Sequence, residues 1–455
     1  MASSVKSRGI ILLFERYTLM SQYLHASLLR SGYQVPAIVL EENDFLPEGV
    51  VSVYDLIVGN YKDGQIENSG KPRYFNEIAV PDTWSISAEE EKWGRISYQR
   101  VEKGRIYYAE PAKDLLVKMV EWYDRKGTIR FCDHYNRFGD ICARTVCNAG
   151  GEAVSKSWLS PAGHEIAVEN YATGNIVFNE GEGVRIFHSK IELALHCFRK
   201  LGLDRKRIFV NTLSEPFFLS NQLKASPRED VLFLQEGIAG GDAEKMRMVL
   251  EGKSGSIGKI ILQTQRAYDC LQELGLTGDK VQKLGFIYPF QKENHHSPEA
   301  LICTNSDRIE HCEELIQALP QMHFHIAALT WMSQKLFDLG QYSNVSLYPG
   351  AQKEIQEELF KKCDYYFDIN HRNEIIDAVY QAFLHNHLIF AFQETVHNRE
   401  YVADAQIYSV EDFGSMVTDI HSVMEQEHLM QKCLESQHKH AMAESGQAYR
   451  DLLGL

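Results

Sequence analysis

The stretch YYFDINHRNEIIDAVYQAFLHNHLIFAFQETVHNRE, residues 365–400, decides the fold class. It opens on an apolar run at 365–368 and continues through a polar loop into a helical pattern of apolar residues. A second apolar run at 388–392 and another polar loop complete it. Short continuous apolar runs are typical of strands that are buried on both faces, as in a parallel sheet. This alternation predicts a doubly wound α/β unit.

The same alternation extends in both directions from this stretch. Apolar runs at 300–303, 324–327 and 344–348 predict three further strands, and the spacing around 309–319, 355–360 and 413–420 predicts helices. Near the start of the chain, Ile10 to Phe14 reads as a buried strand, followed by a helix that ends at Gly32 and a strand at 35–40. The α/β rhythm resumes at Val184, with strands at 208–210, 231–234 and 259–262. We therefore predict two α/β halves.

Between these halves, turn signals follow one another about every ten residues. Examples are 62–64, 102–104, 125–127, 148–151 and 160–163, and the segments between them alternate in polarity. Such spacing is typical of an antiparallel meander. One amphipathic helix is expected to interrupt it at 111–124.

The expected domain organisation follows from these boundaries. Residues 1–44 and 184–290 would form an N-terminal Rossmann-like domain, and 45–183 a β-rich insertion within it. Residues 291–430 would form a C-terminal Rossmann-like domain, reached through a polar linker at 291–298. A helix at 431–455 would pack back on the N-terminal domain.

Composition excludes several classes of function. Lys+Arg total 47 against Asp+Glu 62, a formal net charge of -15, which disfavours nucleic acid as a partner. The nine cysteines contain no C-x-x-C pair that would indicate a zinc site. No apolar stretch approaches the roughly 20 residues that span a bilayer, and the polar Met1 to Lys6 does not resemble a signal peptide. We expect a cytoplasmic protein without a metal or another cofactor.

Several suggestive motifs have plainer interpretations. The glycine-rich loop at 235–242 lacks the G-x-G-x-x-G and Walker patterns and is expected to be a turn with Asp242 as helix cap. His295 and His296 are expected to be solvated linker residues. We expect His323 and His325 to lack a nearby carboxylate, and His438 and His440 to lie at the surface.

The strongest candidate site is formed by the two polar loops of the opening stretch. Both follow strands of one parallel sheet at their carboxyl ends, where ligands bind in such folds. Helix capping alone would account for only part of this polarity. The predicted ligand cleft therefore comprises Asn370, His371, Arg372, Asn373, Glu374, Glu394, His397, Asn398 and Arg399.

At these loops the sequence resembles a known family, the stabilising subunits of the accessory-Sec protein O-N-acetylglucosaminyltransferase (the GtfB family). The segments that carry the resemblance are 368–379 and 389–401. The chain length, the α/β opening and the long β-meander also agree with those of that family. The resemblance implies a GT-B fold of two Rossmann-like domains, with the large antiparallel β-meander inserted in the N-terminal domain.

The resemblance also implies a function. A catalytic partner subunit transfers N-acetylglucosamine from its UDP donor to Ser/Thr of a serine-rich-repeat surface adhesin. The stabilising subunit holds that partner, as a hetero-oligomer that we expect to be a heterotetramer, and also holds the unfolded acceptor. Contact with the cytoplasmic face of the cell membrane, as a peripheral protein, is left open.

The residues favour a non-catalytic role. Active relatives carry two carboxylates separated by seven residues, and if Asp377 is the second, Ile369 occupies the place of the first. Only Arg308 remains near the loop where a pyrophosphate clamp is expected, and the first loop, 15–18, lacks glycine. Three weakened elements in one cleft predict a pseudo-enzyme.

Two alternatives stay open at this point. An active retaining transferase could use Glu374 or Glu394, with Arg372 or Arg399 on the phosphate. A sugar-nucleotide epimerase is compatible with the fold, although fold alone does not specify function.

Overall fold

A computed structural model describes most of the chain. The described residues are 9–41, 45–58, 61–62, 65–66, 68–90, 93–181, 183–223, 229–238, 241–253 and 255–454. Residues 63–64 of the first expected turn, residues 239–240 of the glycine-rich loop and the segment Met1 to Lys6 lie outside these ranges.

The described strands are numbered along the chain. The first five are β1 (Ile10–Phe14), β2 (Ala37–Val39), β3 (Val50–Ser52), β4 (Tyr61–Lys62) and β5 (Gln65–Ile66). The next ten are β6 (Ser85–Glu90), β7 (Trp93–Tyr98), β8 (Val101–Tyr108), β9 (Val117–Tyr123), β10 (Ile129–Tyr135), β11 (Ile141–Cys147), β12 (Ala153–Leu159), β13 (Glu165–Asn170), β14 (Ile176–Glu180) and β15 (Gly183–Phe187). The last ten are β16 (Arg207–Val210), β17 (Asp230–Leu234), β18 (Ile257–Leu262), β19 (Val281–Lys283), β20 (Glu299–Thr304), β21 (His323–Ala328), β22 (Val345–Tyr348), β23 (Tyr365–Asp368), β24 (Leu388–Phe392) and β25 (Ile407–Tyr408).

The helices are numbered in the same way. Those up to residue 273 are α1 (Leu19–Arg30), α2 (Val53–Ile57), α3 (Lys190–Lys200), α4 (Glu215–Gln222), α5 (Asp242–Leu250) and α6 (Gln265–Glu273). Those that follow are α7 (Cys312–Ala318), α8 (Gln334–Phe337), α9 (Lys353–Lys362), α10 (Ala378–Leu384), α11 (Phe413–Glu425), α12 (Glu427–His440) and α13 (Gly446–Leu453).

Two parallel sheets and one large antiparallel sheet organise these elements. The first parallel sheet has the order β19-β18-β17-β16-β1-β2-β3, and the second has the order β22-β21-β20-β23-β24-β25. Strands β6 to β15 form a ten-stranded antiparallel sheet in sequence order. The mixed α/β class, with parallel sheets and a large antiparallel sheet, is confirmed.

The chain divides into two compact units, residues 1–262 with 266–283, and residues 263–265 with 284–454. The first contains the seven-stranded and antiparallel sheets. Strands β11 to β14 share a hydrophobic core with the seven-stranded sheet, and β7 to β10 surround a second core. Trp158 of β12, 2% exposed, stacks on Tyr54 of α2 with ring centroids 3.8 Å apart. The second unit has its own core around β20, β21, β23 and β24, onto which α11 and α12 pack.

The helix expected at 111–124 is wrong, because half of that segment, 117–123, is strand β9. Val117 and Val120 are both fully buried, and their spacing of three suggested a helix. Tyr107 pairs with Met119 while Tyr108 pairs with Val117, so Lys118 is an extra residue in the ladder. A β-bulge of this kind shifts the alternation by one residue. It therefore brings two valines that are three apart onto the same face.

The bounds expected for the β-rich insertion also need correction. Within the segment that was expected to start it, β3 (Val50–Ser52) pairs in parallel with β2 and belongs to the first parallel sheet. At the other end, the antiparallel pairing continues to Phe187, beyond the expected limit at 183. Both differences arise because three-residue and five-residue strands carry too little pattern to reveal their partners.

The polar segment 291–298, expected to be a linker, is fixed within the second unit. The Asp364 carboxylate accepts bonds from the backbone N–H groups of His295 and Ser297, at 3.0 and 2.8 Å. The ring of His296 lies 2.7 Å from the Val423 carbonyl. His295 is exposed, as expected, whereas His296 is partly buried. Among the described helices, none is both long and apolar enough to cross a membrane.

Candidate functional site

Each parallel sheet contains one point where the strand order reverses. In the first sheet, β1 is followed by β2 on one side and by β16 on the other. In the second, β20 is followed by β21 on one side, and β23 lies on the other. Loops diverge at such a switch point, and the crevice they leave at the carboxyl ends of the strands is where ligands bind. A cavity lies at each of the two.

The cavity of the second unit has a volume of about 420 Å³. It is lined by the loop after β20 and by the start of the loop after β23. Its lining residues are Asn305, Ser306, Asp307, Arg308, His371 and Arg372. Two of the predicted cleft residues, His371 and Arg372, therefore line this cavity.

Asn370 joins the two loops that form this cavity. Its side chain is 3% exposed, and its Oδ1 accepts a bond from the Thr304 hydroxyl at 2.8 Å. Its Nδ2 donates to the Arg372 carbonyl at 3.0 Å. Since both of its polar atoms are used within the protein, Asn370 sets the shape of the cleft.

A buried ion pair joins the loop after β23 to the loop after β24. Asp368, 2% exposed, lies with Oδ1 2.5 Å from His397 Nδ1, and Oδ2 accepts the His397 backbone N–H at 2.7 Å. The other ring nitrogen of His397 contacts the Arg372 carbonyl. The carboxylate raises the pKa of His397 to about 9. His397 is therefore a charged clamp between the two polar loops.

This pair predicts a pH-dependent contribution to stability. Because the pKa of His397 is raised from about 6.5, its contribution is complete below pH 6.5 and is lost as the pH rises through about 9. The contribution is at most about 3 kcal/mol. We expect the difference in unfolding free energy between the wild type and Asp368→Asn to shrink between pH 6 and 10, measured by urea denaturation. A constant difference would contradict this assignment.

Two further predicted residues are engaged by the protein itself. The His371 ring contacts the Glu310 carboxylate, and its backbone N–H donates to the Arg308 carbonyl at 3.1 Å. The Glu374 carboxylate accepts the Val379 N–H of α10 at 2.7 Å, and partial burial raises the pKa of Glu374. Glu374 thus binds the start of a helix, which is a structural role.

The remaining predicted residues differ in their surroundings. Arg372 and Asn373 are exposed, and the Asn373 carbonyl accepts a bond from Asn305 Nδ2 at 3.0 Å. Glu394 and Arg399 are exposed on the loop after β24. The Asn398 side chain accepts the Glu400 N–H at 3.2 Å and caps a short 3-10 turn.

Two of the plainer histidine interpretations also need correction. His325 is buried with Nε2 2.6 Å from the Glu299 carboxylate, so the expectation that no carboxylate lies nearby is wrong. Glu299 begins β20, 24 residues before the start of β21, so the pairing was not visible in the sequence. His438 is partly buried and bonds the Asn386 side chain at 2.7 Å.

The cavity of the first unit was missed by sequence reasoning. It has a volume of about 400 Å³ and is formed by the loops after β1, β16 and β17 and the start of α5. The described part of the glycine-rich loop, 235–238 with Asp242, contributes to it, although Asp242 is the first residue of α5 and does not cap it. Finding this site requires knowing that β16 pairs with β1, about 200 residues earlier in the chain.

Family models match four segments of the chain. They are a GtfB N-terminal domain at 11–56, a GtfB middle domain at 84–188, a GtfB third domain at 190–274 and a GftB/GlyA-F C-terminal domain at 300–437. The segments at 190–274 and 300–437 contain the residues that line the two cavities, except the lining residues that follow β1.

Similar proteins cover nearly the full length. The UDP-N-acetylglucosamine–peptide N-acetylglucosaminyltransferase stabilizing protein GtfB of Streptococcus agalactiae is 36% identical over 450 residues, 98% of this chain and 99% of that protein. The protein of the same name from Streptococcus gordonii is 35% identical over 436 residues, 95% of each chain.

Solved structures agree with these similarities. A chain of a GtfA/B complex crystallised with UDP and GlcNAc is 34% identical, with a TM-score of 0.80 over 97% of this chain and 99% of that one. A chain in a structure of accessory secretory proteins 1, 2 and 3 of Streptococcus pneumoniae shares the fold at 10% identity, with a TM-score of 0.68 over 98% of each.

Proposed function

Because the chain belongs to the GtfB family, we propose that it is the stabilising, non-catalytic subunit of a two-component protein O-N-acetylglucosaminyltransferase. Its relatives of 35–36% identity are named as stabilising proteins of a UDP-N-acetylglucosamine–peptide transferase. The observation that carries the proposal to this chain is the match to a chain of the GtfA/B complex over 97% of its length.

The partner and the acceptor follow from this role. The partner is the catalytic glycosyltransferase subunit, in a hetero-oligomer that we take to be a heterotetramer. The acceptor is a Ser/Thr-rich adhesin, held in an extended form before export. Glycosylation would take place in the cytoplasm, and any contact with the membrane would be peripheral. The two parallel sheets, with the antiparallel sheet encoded between strands of the first, support a GT-B architecture.

The surroundings of the carboxylates support the absence of catalysis. Ile369, at the position where the first carboxylate is expected, is fully buried in the core of the second unit. The neighbouring Asp368 is paired with His397, and Glu374 binds the start of α10. Arg308 is exposed, and its backbone N–H is bonded to the Ser306 hydroxyl at 3.1 Å. The alternative, an active retaining transferase, therefore depends on the exposed Glu394, with the exposed Arg372 or Arg399 on the phosphate.

We place the acceptor in the cleft of the second unit. Its open polar walls suit an extended peptide, whose backbone needs hydrogen-bond donors and acceptors on both sides. Trp331 is 87% exposed on the loop after β21, the strand that pairs with β20. Backbone bonds from Gly350 and Ala351 fix that loop. An exposed aromatic on the loop that follows the neighbouring strand suits binding of a peptide or its sugar.

The antiparallel sheet is the proposed docking surface for the partner. Its last strand, β15, lies at the edge of the sheet, and among the described strands it pairs with β14 alone. We call Val177, Val184 and Ile186 the outer patch; they are 36%, 64% and 59% exposed. Val177 pairs with Ile186, so the patch occupies one face, opposite the face that carries the buried Phe178. Exposed apolar residues clustered at a sheet edge indicate a protein contact.

Two assays on the purified chain test the absence of catalysis. We expect no hydrolysis of UDP-N-acetylglucosamine above a heat-inactivated control, and transfer to a Ser/Thr-rich peptide only when the catalytic partner is added. Hydrolysis by the chain alone that is abolished by Glu394→Gln would contradict the proposal and favour the active-transferase alternative.

Binding of the acceptor peptide tests the cleft. We expect Arg372→Ala and Trp331→Ala each to weaken peptide binding about tenfold, measured by calorimetry, because each removes one exposed contact. Lys353→Ala is the matched control, since Lys353 is exposed on α9, outside the residues that line the cavity. Equal binding by all three variants would place the acceptor elsewhere.

A further inference from the structure

We propose that the cavity of the first unit is a second ligand site, and that it takes an uncharged, hydroxyl-rich group the size of one pyranose ring. This inference does not rest on the proposed function, because it concerns a different cavity and different residues. The cavity lies at the switch point between β1 and β16, where the loops after three neighbouring strands meet.

The wall of this cavity contains an unsatisfied acceptor. Asn211 follows β16, is 9% exposed and donates from Nδ2 to Ser21 Oγ at 3.1 Å and to Gln235 Oε1 at 3.0 Å. Gln235 Nε2 in turn donates to the Met20 carbonyl at 3.0 Å, which fixes the orientation of both amides. Asn211 Oδ1 is left without a hydrogen-bond partner among the described residues.

Such an atom is costly to leave unsatisfied. A buried polar group without a partner costs about 1–3 kcal/mol, so it favours any occupant that can donate a hydrogen bond. A hydroxyl group of a ligand can donate one hydrogen bond and accept another. It can therefore donate to the side chains of the cavity wall that act as acceptors. The Asn211 oxygen exposes less than 1 Å², so a small rotation of its side chain is what would bring it within reach of a hydroxyl donor in the cavity.

The other polar groups of the cavity also favour a donor. The Ser214 hydroxyl donates to the Glu15 carboxylate and lies 2.8 Å from the Thr212 hydroxyl. Glu236 and Asp242 add two more carboxylates to the lining. Carboxylates, amides and hydroxyls of this kind are the partners that bind sugar hydroxyls, each of which can donate to one and accept from another.

Charge excludes the donor nucleotide from this cavity. The lining includes two cations, and both are paired: Lys245 binds Asp242 at 2.7 Å and the Leu213 carbonyl at 2.9 Å, and Arg16 binds Glu41. A diphosphate would thus meet the carboxylates of Glu15 and Glu236, and the described lining residues offer no unpaired cation to offset its charge. An uncharged ligand meets no such repulsion.

Size and apolar contacts agree with a single ring. The volume of about 400 Å³ lies near the lower end of the ~300–1,000 Å³ range of small-molecule sites. Met20, Leu234 and Ile238 contribute apolar wall to the same cavity. A pyranose presents hydroxyls at its edge and C–H groups on its faces, so it matches a wall that is polar on one side and apolar on another.

The test uses the full chain and N-acetylglucosamine, glucose and uridine diphosphate as separate probes. We expect saturable binding of a monosaccharide, followed by ligand-observed NMR, with a dissociation constant of about 1 mM. Uridine diphosphate should not compete for this site. Thr212→Val and Glu15→Gln should each weaken sugar binding about tenfold. The first removes a hydroxyl partner, the second replaces a charged acceptor by a neutral amide, and neither changes the volume much.

Controls make the outcome unambiguous. Lys253→Ala, at an exposed residue of the same unit that is ion-paired with Glu251, should bind the sugar as the wild type does. Thermal unfolding of every variant must match the wild type before binding is compared. The proposal is overturned if no monosaccharide binds, if uridine diphosphate displaces the sugar, or if Arg372→Ala abolishes binding while Thr212→Val does not. None of these results would affect the assays for the stabilising role.

Discussion

Two aspartates on the last strand of the antiparallel sheet are expected to weaken binding of the catalytic partner about 100-fold. The double change Val184→Asp and Ile186→Asp places two charges where the outer patch would contact the partner. Burying them costs about 3 kcal/mol in total, which corresponds to the 100-fold loss. Both residues are mostly exposed in the free chain, so the variant should fold normally.

The measurement is titration of the purified partner by calorimetry or surface plasmon resonance. Val101→Asp is the matched control, because Val101 is 50% exposed on β8, far along the sheet from β15. A deletion of the whole sheet would be a poor substitute, since it would remove Trp158 from a core shared with α2. Undiminished binding by the double variant would exclude this edge as the docking surface.

The Trp158→Ala variant is expected to lose about 3–5 kcal/mol of unfolding free energy, because a buried aromatic side chain is replaced by a cavity. Trp158 stacks on Tyr54 with an angle of 5° between the rings and belongs to the core that the antiparallel sheet shares with the first parallel sheet. Its loss should therefore loosen both sheets together.

Urea denaturation followed by circular dichroism measures this effect. The chain has two compact units, so we expect more than one transition, and only the transition of the first unit should move. Trp93→Ala is the matched control: Trp93 is partly buried and contacts the Arg105 guanidinium at 4.4 Å. If Trp93→Ala lost as much unfolding free energy as Trp158→Ala, the shared core would contribute no more to stability than a partly buried contact does.

The elements of the parallel sheets were largely predictable from the sequence. Runs such as Ile10–Phe14 and Leu388–Phe392 are buried on both faces, and burial leaves a continuous apolar pattern. Strand β9 was mistaken for a helix because the bulge at Lys118 gives its buried valines a helical spacing. A bulge depends on the partner strand and leaves no signal of its own in the sequence.

The candidate cleft was predictable only in part. Its location follows from polar residues after strands, which is how His371 and Arg372 were found. The pairing of Asp368 with His397 and the binding of Glu374 to α10 depend on how two loops close, which residue type alone does not specify. The first cavity depends on Asn211, a single residue whose importance arises from contacts with segments distant in the chain.

The pairing of β1 with β16 has a consequence for synthesis on the ribosome. β1 acquires its second neighbour only after about 200 further residues have been translated. Until then one edge of β1 is open, and open edges recruit other chains. The antiparallel sheet is built from hairpins between consecutive strands, so its contacts are local and can form early. We therefore expect the antiparallel sheet to form before the first parallel sheet is complete.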